Sequence, residues 1–176
     1  MQGSMTRVGK LLSLAAGLIA GLATDASAQA ARVPVAGFAV VTEVVDPGTV
    51  FVSEEGIVHV RNQVNRSQFF GDLEGEQLTT GNLELDPVTG AGRTHGVVSF
   101  VGTHVPSGTQ GTFFGSFAGD IARDFSVPCG IVFQVRGTAE GGEGFDGMKR
   151  SLDAVNACGF LTYEGEILDP SGTLQP

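Results

Sequence analysis

The chain has 176 residues, with 10 Lys and Arg against 19 Asp and Glu and a formal net charge of −9. Such an acidic balance, with no basic stripe and no interleaving of aromatic and basic side chains, argues against a nucleic-acid partner and against an anionic membrane surface. The length suits one domain able to bury a real core.

In chain order, Arg7 and Lys10 precede an uninterrupted small and apolar run from Leu11 to Ala23, followed by Asp25-Ala26-Ser27-Ala28. A positive start, an apolar middle and an Ala-x-Ala end predict a secretory signal peptide over residues 1–28, cleaved after Ala28 to leave Gln29 first. The run is shorter than the roughly 20 residues that cross a bilayer, so no integral membrane span is expected. Met5-Thr6-Arg7 can equally begin such a leader, which leaves the native status of residues 1–4 open. Loss of Arg7, Lys10 and Asp25 brings the remaining chain, residues 29–176, to a net charge of −10. The expected location is secreted or periplasmic.

From Val33 onward, β-branched and aromatic runs alternate with turn signals about every ten residues, the rhythm of a sandwich or barrel. The runs are Val35–Val45, Thr49–Ser53, Ile57–Val64, Ser67–Gly71, Gln77–Leu85, Thr94–Val105, Gly111–Ile121, Gly130–Gly137 and Gly159–Leu168. Between them, Asp46-Pro47-Gly48, Glu55-Gly56, Asp86-Pro87-Val88-Thr89-Gly90 and Pro106-Ser107-Gly108 supply the fixed or positive φ of tight reversals. Short turns imply antiparallel neighbours. Ser151–Ala157 is the one candidate helix, a turn or two at most, and reads equally as strand and loop. It cannot supply a layer of helices, so the prediction is all-β: a single closed antiparallel barrel of about eight strands. Phe69-Phe70-Gly71 and Phe113-Phe114-Gly115, each followed by a glycine four residues on, read as two equivalent curved strands.

Cys129 and Cys158 form an even pair in an exported chain and are expected to be bridged; a reactive thiol or metal ligand is the alternative. Neither cysteine has a second cysteine or histidine at metal-ligand spacing, and the three histidines, His59, His95 and His104, offer no specific pattern, so no metal is expected. Gly142-Glu143-Gly144-Phe145-Asp146-Gly147 matches a dinucleotide fingerprint but has neither a helix nor a second parallel strand after it. The overlapping fit of Gly141–Lys149 to a calcium repeat is a single copy of a motif that works in stacks. A glycine-rich hairpin is the simpler reading, and no cofactor is expected.

Strand parity sorts the remaining candidates. His59 alternates away from Val58 and Val60 toward water, whereas His104 shares a face with Val98 and Phe100. Tyr163 lies with Leu161 and Ile167, and Glu43 with Ala39, Val41 and Val45. Ile131, Phe133 and Val135 form a further apolar face. In a closed sheet these faces converge, so Phe100, Phe133 and Leu161 are candidate ligand-binding walls, and Glu43, His104 and Tyr163 candidate catalytic groups for moving protons. The carboxylate pairs Asp72/Glu74 and Glu84/Asp86 face away from apolar neighbours and read as outer-face charge. No nucleophile elbow occurs.

The segments Phe70-Gly71-Asp72-Leu73-Glu74-Gly75, Val135-Arg136-Gly137-Thr138-Ala139-Glu140-Gly141-Gly142-Glu143-Gly144-Phe145-Asp146-Gly147-Met148 and Tyr163-Glu164-Gly165-Glu166-Ile167 resemble the allene oxide cyclase-like, or dirigent-like, barrel group, which includes bacterial members of unknown function. The similarity in rhythm spans most of residues 35–168; the cysteine pair and the stretch between Lys149 and Cys158 depart from it. The resemblance implies an eight-stranded barrel with an apolar lumen that binds a hydrophobic small molecule, in some relatives guiding cyclisation or coupling. No catalytic motif of the plant cyclases matches here. Two roles follow: a cofactor-independent cyclase or isomerase, or a non-catalytic binding or envelope-associated protein, with a homo-oligomer an open option for either.

Overall fold

A computed structural model describes residues 30–174, so the predicted leader, its cleavage point and residues 1–4 lie outside the described residues. Nine strands follow in order: β1 (Ala31–Asp46), β2 (Thr49–Val52), β3 (Val58–Gly71), β4 (Leu73–Leu85), β5 (Gly92–His104), β6 (Thr109–Arg123), β7 (Ile131–Gly141), β8 (Lys149–Ala157) and β9 (Phe160–Asp169). All pairings are antiparallel. Eight strands run β1-β9-β8-β7-β6-β5-β4-β3 around a ring that closes where β3 pairs with β1. The short β2 is a ninth strand that pairs with β3 through Thr49–Val52. The predicted all-β antiparallel barrel is therefore present, with one strand added.

The alternation that predicts the strands also sorts their faces. On β4, Leu73 and Gln77 point inward while Glu74 and Glu76 point out; on β6, Phe113 is buried and Phe114 exposed. Two runs read as separate, Ile57–Val64 and Ser67–Gly71, are one continuous strand, β3, whose polar middle interrupts only the apolar signal. The candidate helix Ser151–Ala157 is strand β8. Its inward set is Arg150, Leu152, Ala154 and Asn156, and the two polar members hide the period of 2 that marks a half-buried strand.

Inward-facing glycines let neighbouring strands approach where the barrel wall bends. A Cβ added to Gly115 would lie 1.9 Å from the Thr138 carbonyl oxygen, and one on Gly96 would lie 2.1 Å from that of Thr80. The repeated Phe-Phe-Gly does not mark equivalent strands: Gly71 ends β3 with φ +111°, whereas Gly115 sits inside β6. Phe69 and Phe113, by contrast, do both enter the core.

The two ends of the barrel differ. At one end lie the β3–β4, β5–β6 and β7–β8 turns, and this half is solid. Leu73, Phe100, Phe113, Phe145, Ile167 and Leu174 are all fully buried there, each contributing roughly 1.5–3 kcal/mol by leaving water. Phe145 comes from the glycine-rich segment 142–148, which folds back so that its ring stacks on Phe113 at 4.6 Å between centroids. That segment is a loop whose apolar tip plugs the barrel. At the other end lie the β4–β5, β6–β7 and β8–β9 turns. There Cys129 and Cys158 are bonded, with Cα atoms 5.4 Å apart, and tie two of the three turns together.

Candidate functional site

The end opposite the plug encloses a cavity of about 230 Å³. Its apolar walls include Val41, Val60, Val98, Phe117, Phe133 and Leu161. One side is polar: Gln63, Asn65 and Ser67 come from β3, and Gln77 and Thr79 from β4. A pocket with apolar walls and a few neutral handles is the usual form of a small-molecule site, and this volume lies below the common range of about 300–1,000 Å³.

The floor is built around Arg150. Its side chain starts on β8 and reaches Gln77 on β4, where Nη2 donates to Oε1 at 3.2 Å. These strands stand four places apart in a ring of eight, so the guanidinium spans the lumen and separates cavity from plug. Below it, the rings of Phe100 and Phe113 lie 5.2 and 5.1 Å from the guanidinium carbon, cation–π contacts on both. Arg150 is 4% exposed. Its Nη1 is buried without a hydrogen-bond partner, and Arg150 takes part in no ion pair among the described residues. Burial lowers the guanidinium to about 10, which leaves it fully charged at neutral pH. It is the one charged side chain among the described residues lining the cavity. The isolated burial of a charge is costly enough to be rare.

Tyr163 lies at the same level, buried, as strand parity predicts. Its hydroxyl accepts from the Leu73 N–H at 3.2 Å and shares its proton between the carbonyls of Phe70 (3.2 Å) and Leu73 (3.3 Å). Burial raises its pKa, so the phenol stays protonated and ties β9 to the β3–β4 turn. Phe133 and Leu161 do line the cavity. Phe100 lies inside the barrel but beneath Arg150, as packing for the guanidinium rather than as a cavity wall.

His104 is inside but in the plugged half. It is fully buried, with Nδ1 2.8 Å from Ser107 Oγ and Nε2 without a partner. Desolvation lowers its pKa despite the carboxylates of Asp72 and Asp169. Glu43 departs from its expected face. The β1–β3 register slips between Val41 and Glu43, so Thr42 is an extra residue and Glu43 changes sides, before a second slip between Val44 and Asp46. Glu43 consequently lies outside the barrel, its Oε2 3.3 Å from Arg66 Nε. Glu43, His104 and Tyr163 thus occupy three separate places. His59 is on the outer face as predicted, but it is covered by Phe51 of β2, which stacks on it at 4.7 Å. Among the described residues no cluster of three or more metal-ligating side chains occurs.

Arg150 and Gln77 are absent from the sequence candidates. The alternation Arg150, Leu152, Ala154 was available to find Arg150, once its segment is read as a strand. Its pairing across the lumen with Gln77, 73 residues away in sequence, had no sequence signal.

No family model matches the chain, and no curated protein matches it either. Among solved structures, a protein of unknown function from the DUF3224 family of Shewanella oneidensis MR-1 superposes with a TM-score of 0.59 over 80% of this chain and 97% of its own, at 16% identity. The likeness establishes a shared β-barrel fold, not the allene oxide cyclase-like group in particular.

Proposed function

We propose that this barrel is an exported, non-catalytic binding protein that holds a small, largely apolar molecule in the open half of its lumen. The observation that carries the reading is the contrast between the two halves of one barrel: aromatic side chains fill one, while the other keeps a cavity of about 230 Å³ behind apolar walls. A barrel of eight strands is just wide enough either to fill with its own side chains or to hold one small ligand. Export agrees with the leader expected over residues 1–28 from the sequence and with the Cys129–Cys158 bridge, which suits an oxidising compartment. No helix among the described residues is long and apolar enough to cross a membrane.

The cyclase alternative needs proton-moving groups on the cavity. Of its three candidates, only Tyr163 borders the cavity, and its hydroxyl is engaged by backbone. Binding is therefore the better-supported role. The test is titration with 1-aminoanthracene, a neutral fluorophore whose emission rises in apolar surroundings. Saturable binding at a single site is expected, weakened at least tenfold by Leu161→Trp, which fills the cavity while the melting profile shows the barrel intact. Absence of binding, or binding indifferent to Leu161→Trp, would overturn the reading.

A further inference from the structure

We propose that the molecule held in the lumen is a compact apolar monocarboxylate whose carboxylate pairs with the Arg150 guanidinium. This rests on the lumen being a ligand site, and it deepens that reading by naming the chemical class.

Three observations converge on it. Arg150 is a fully ionised side chain, 4% exposed, with no carboxylate partner among the described residues. Its hydrogen-bonding capacity is divided: Nη2 is occupied by Gln77, whereas Nη1 is buried and unpartnered. The group is also held in place from below by Phe100 and Phe113 and from the side by Gln77, so it is a preformed donor rather than a mobile one. A guanidinium edge matches a planar carboxylate, and charge-assisted bonds of this type are about twice as strong as neutral ones.

The rest of the cavity narrows the class. One lumenal cation, surrounded by neutral amides and hydroxyls such as Gln63, Asn65 and Thr79, balances a single negative charge. A dianionic phosphate would need further cationic donors. Val98, Phe117, Phe133 and Leu161 above the floor call for an apolar body, and the volume of about 230 Å³ calls for a compact one.

The experiment is displacement of 1-aminoanthracene by 2-naphthoate, by the near-isosteric but neutral 2-naphthamide, and by 2-naphthyl phosphate, at pH 7. In the wild-type protein, 2-naphthoate should displace at a concentration at least tenfold below that of the amide, with the phosphate weaker than the carboxylate. Arg150→Met should abolish the preference for carboxylate over amide, with displacement by each compound referred to the variant's own 1-aminoanthracene affinity. Arg150→Gln, which keeps a donor and removes the charge, should do the same and serves if the Met variant does not fold. Equal displacement by carboxylate and amide, a preference that survives both substitutions, or tighter binding of the phosphate would each overturn the assignment, with the lumen site itself left standing. Failure of the wild-type protein to bind 1-aminoanthracene would instead remove the lumen reading.

Discussion

Replacing Arg150 by methionine should stabilise the ligand-free protein, which is the reverse of what most core substitutions do. The lowering of the guanidinium from its ordinary value to about 10 corresponds to roughly 3 kcal/mol of disfavour for the charged form in the fold, at about 1.4 kcal/mol per unit. Against this, the variant loses two cation–π contacts of about 0.5 kcal/mol each and one hydrogen bond to Gln77 of about 1 kcal/mol. The net is a gain of about 1 kcal/mol, equivalent to some 2–4 °C in Tm for a domain of this size. Because the folded-state value lies below the unfolded one, the penalty on the charged form is fully present below about pH 10 and fades only as pH rises above it toward the ordinary guanidinium value. The gain should therefore be constant between pH 6 and 9. Urea unfolding followed by circular dichroism is the assay, since the chain has no tryptophan. A loss exceeding about 1 kcal/mol would refute the reasoning, because it would mean that the guanidinium is a compensated structural keystone and not a charge held in readiness for a ligand.

Three further outcomes are expected. Phe145→Ala, which empties the plug beneath Phe113, should cost about 3–5 kcal/mol, whereas Phe125→Ser, at a side chain 85% exposed, should change urea midpoints little. Denaturing thiol titration without reductant should find no free thiol, and the double Cys129→Ser/Cys158→Ser variant should lose roughly 3–4 kcal/mol, the loop-closure contribution for 29 residues. Since burial holds His104 below its ordinary 6.5, the unfolded chain takes up that proton first as pH falls. Stability should then decline from about pH 7 to 5, and His104→Gln should show a shallower decline in urea midpoints over the same range.

The class of fold is legible in the chain because period-2 alternation and Pro/Gly turn chemistry act locally and declare strands and reversals wherever the inward set is apolar. That is why parity alone places Phe100, Phe133, Leu161 and Tyr163 inward. Local patterns failed where tertiary structure overrode them. At Thr42 a bulge with no glycine to announce it turned Glu43 outward. On β8 the inward residues include Arg150 and Asn156, whose polarity makes sense only once the barrel has closed around them. Closure itself, the plug formed by Phe145, and the meeting of Arg150 with Gln77 from opposite walls are long-range events. They depend on which faces converge after eight strands have curved into a ring, and no window of neighbouring residues contains that information.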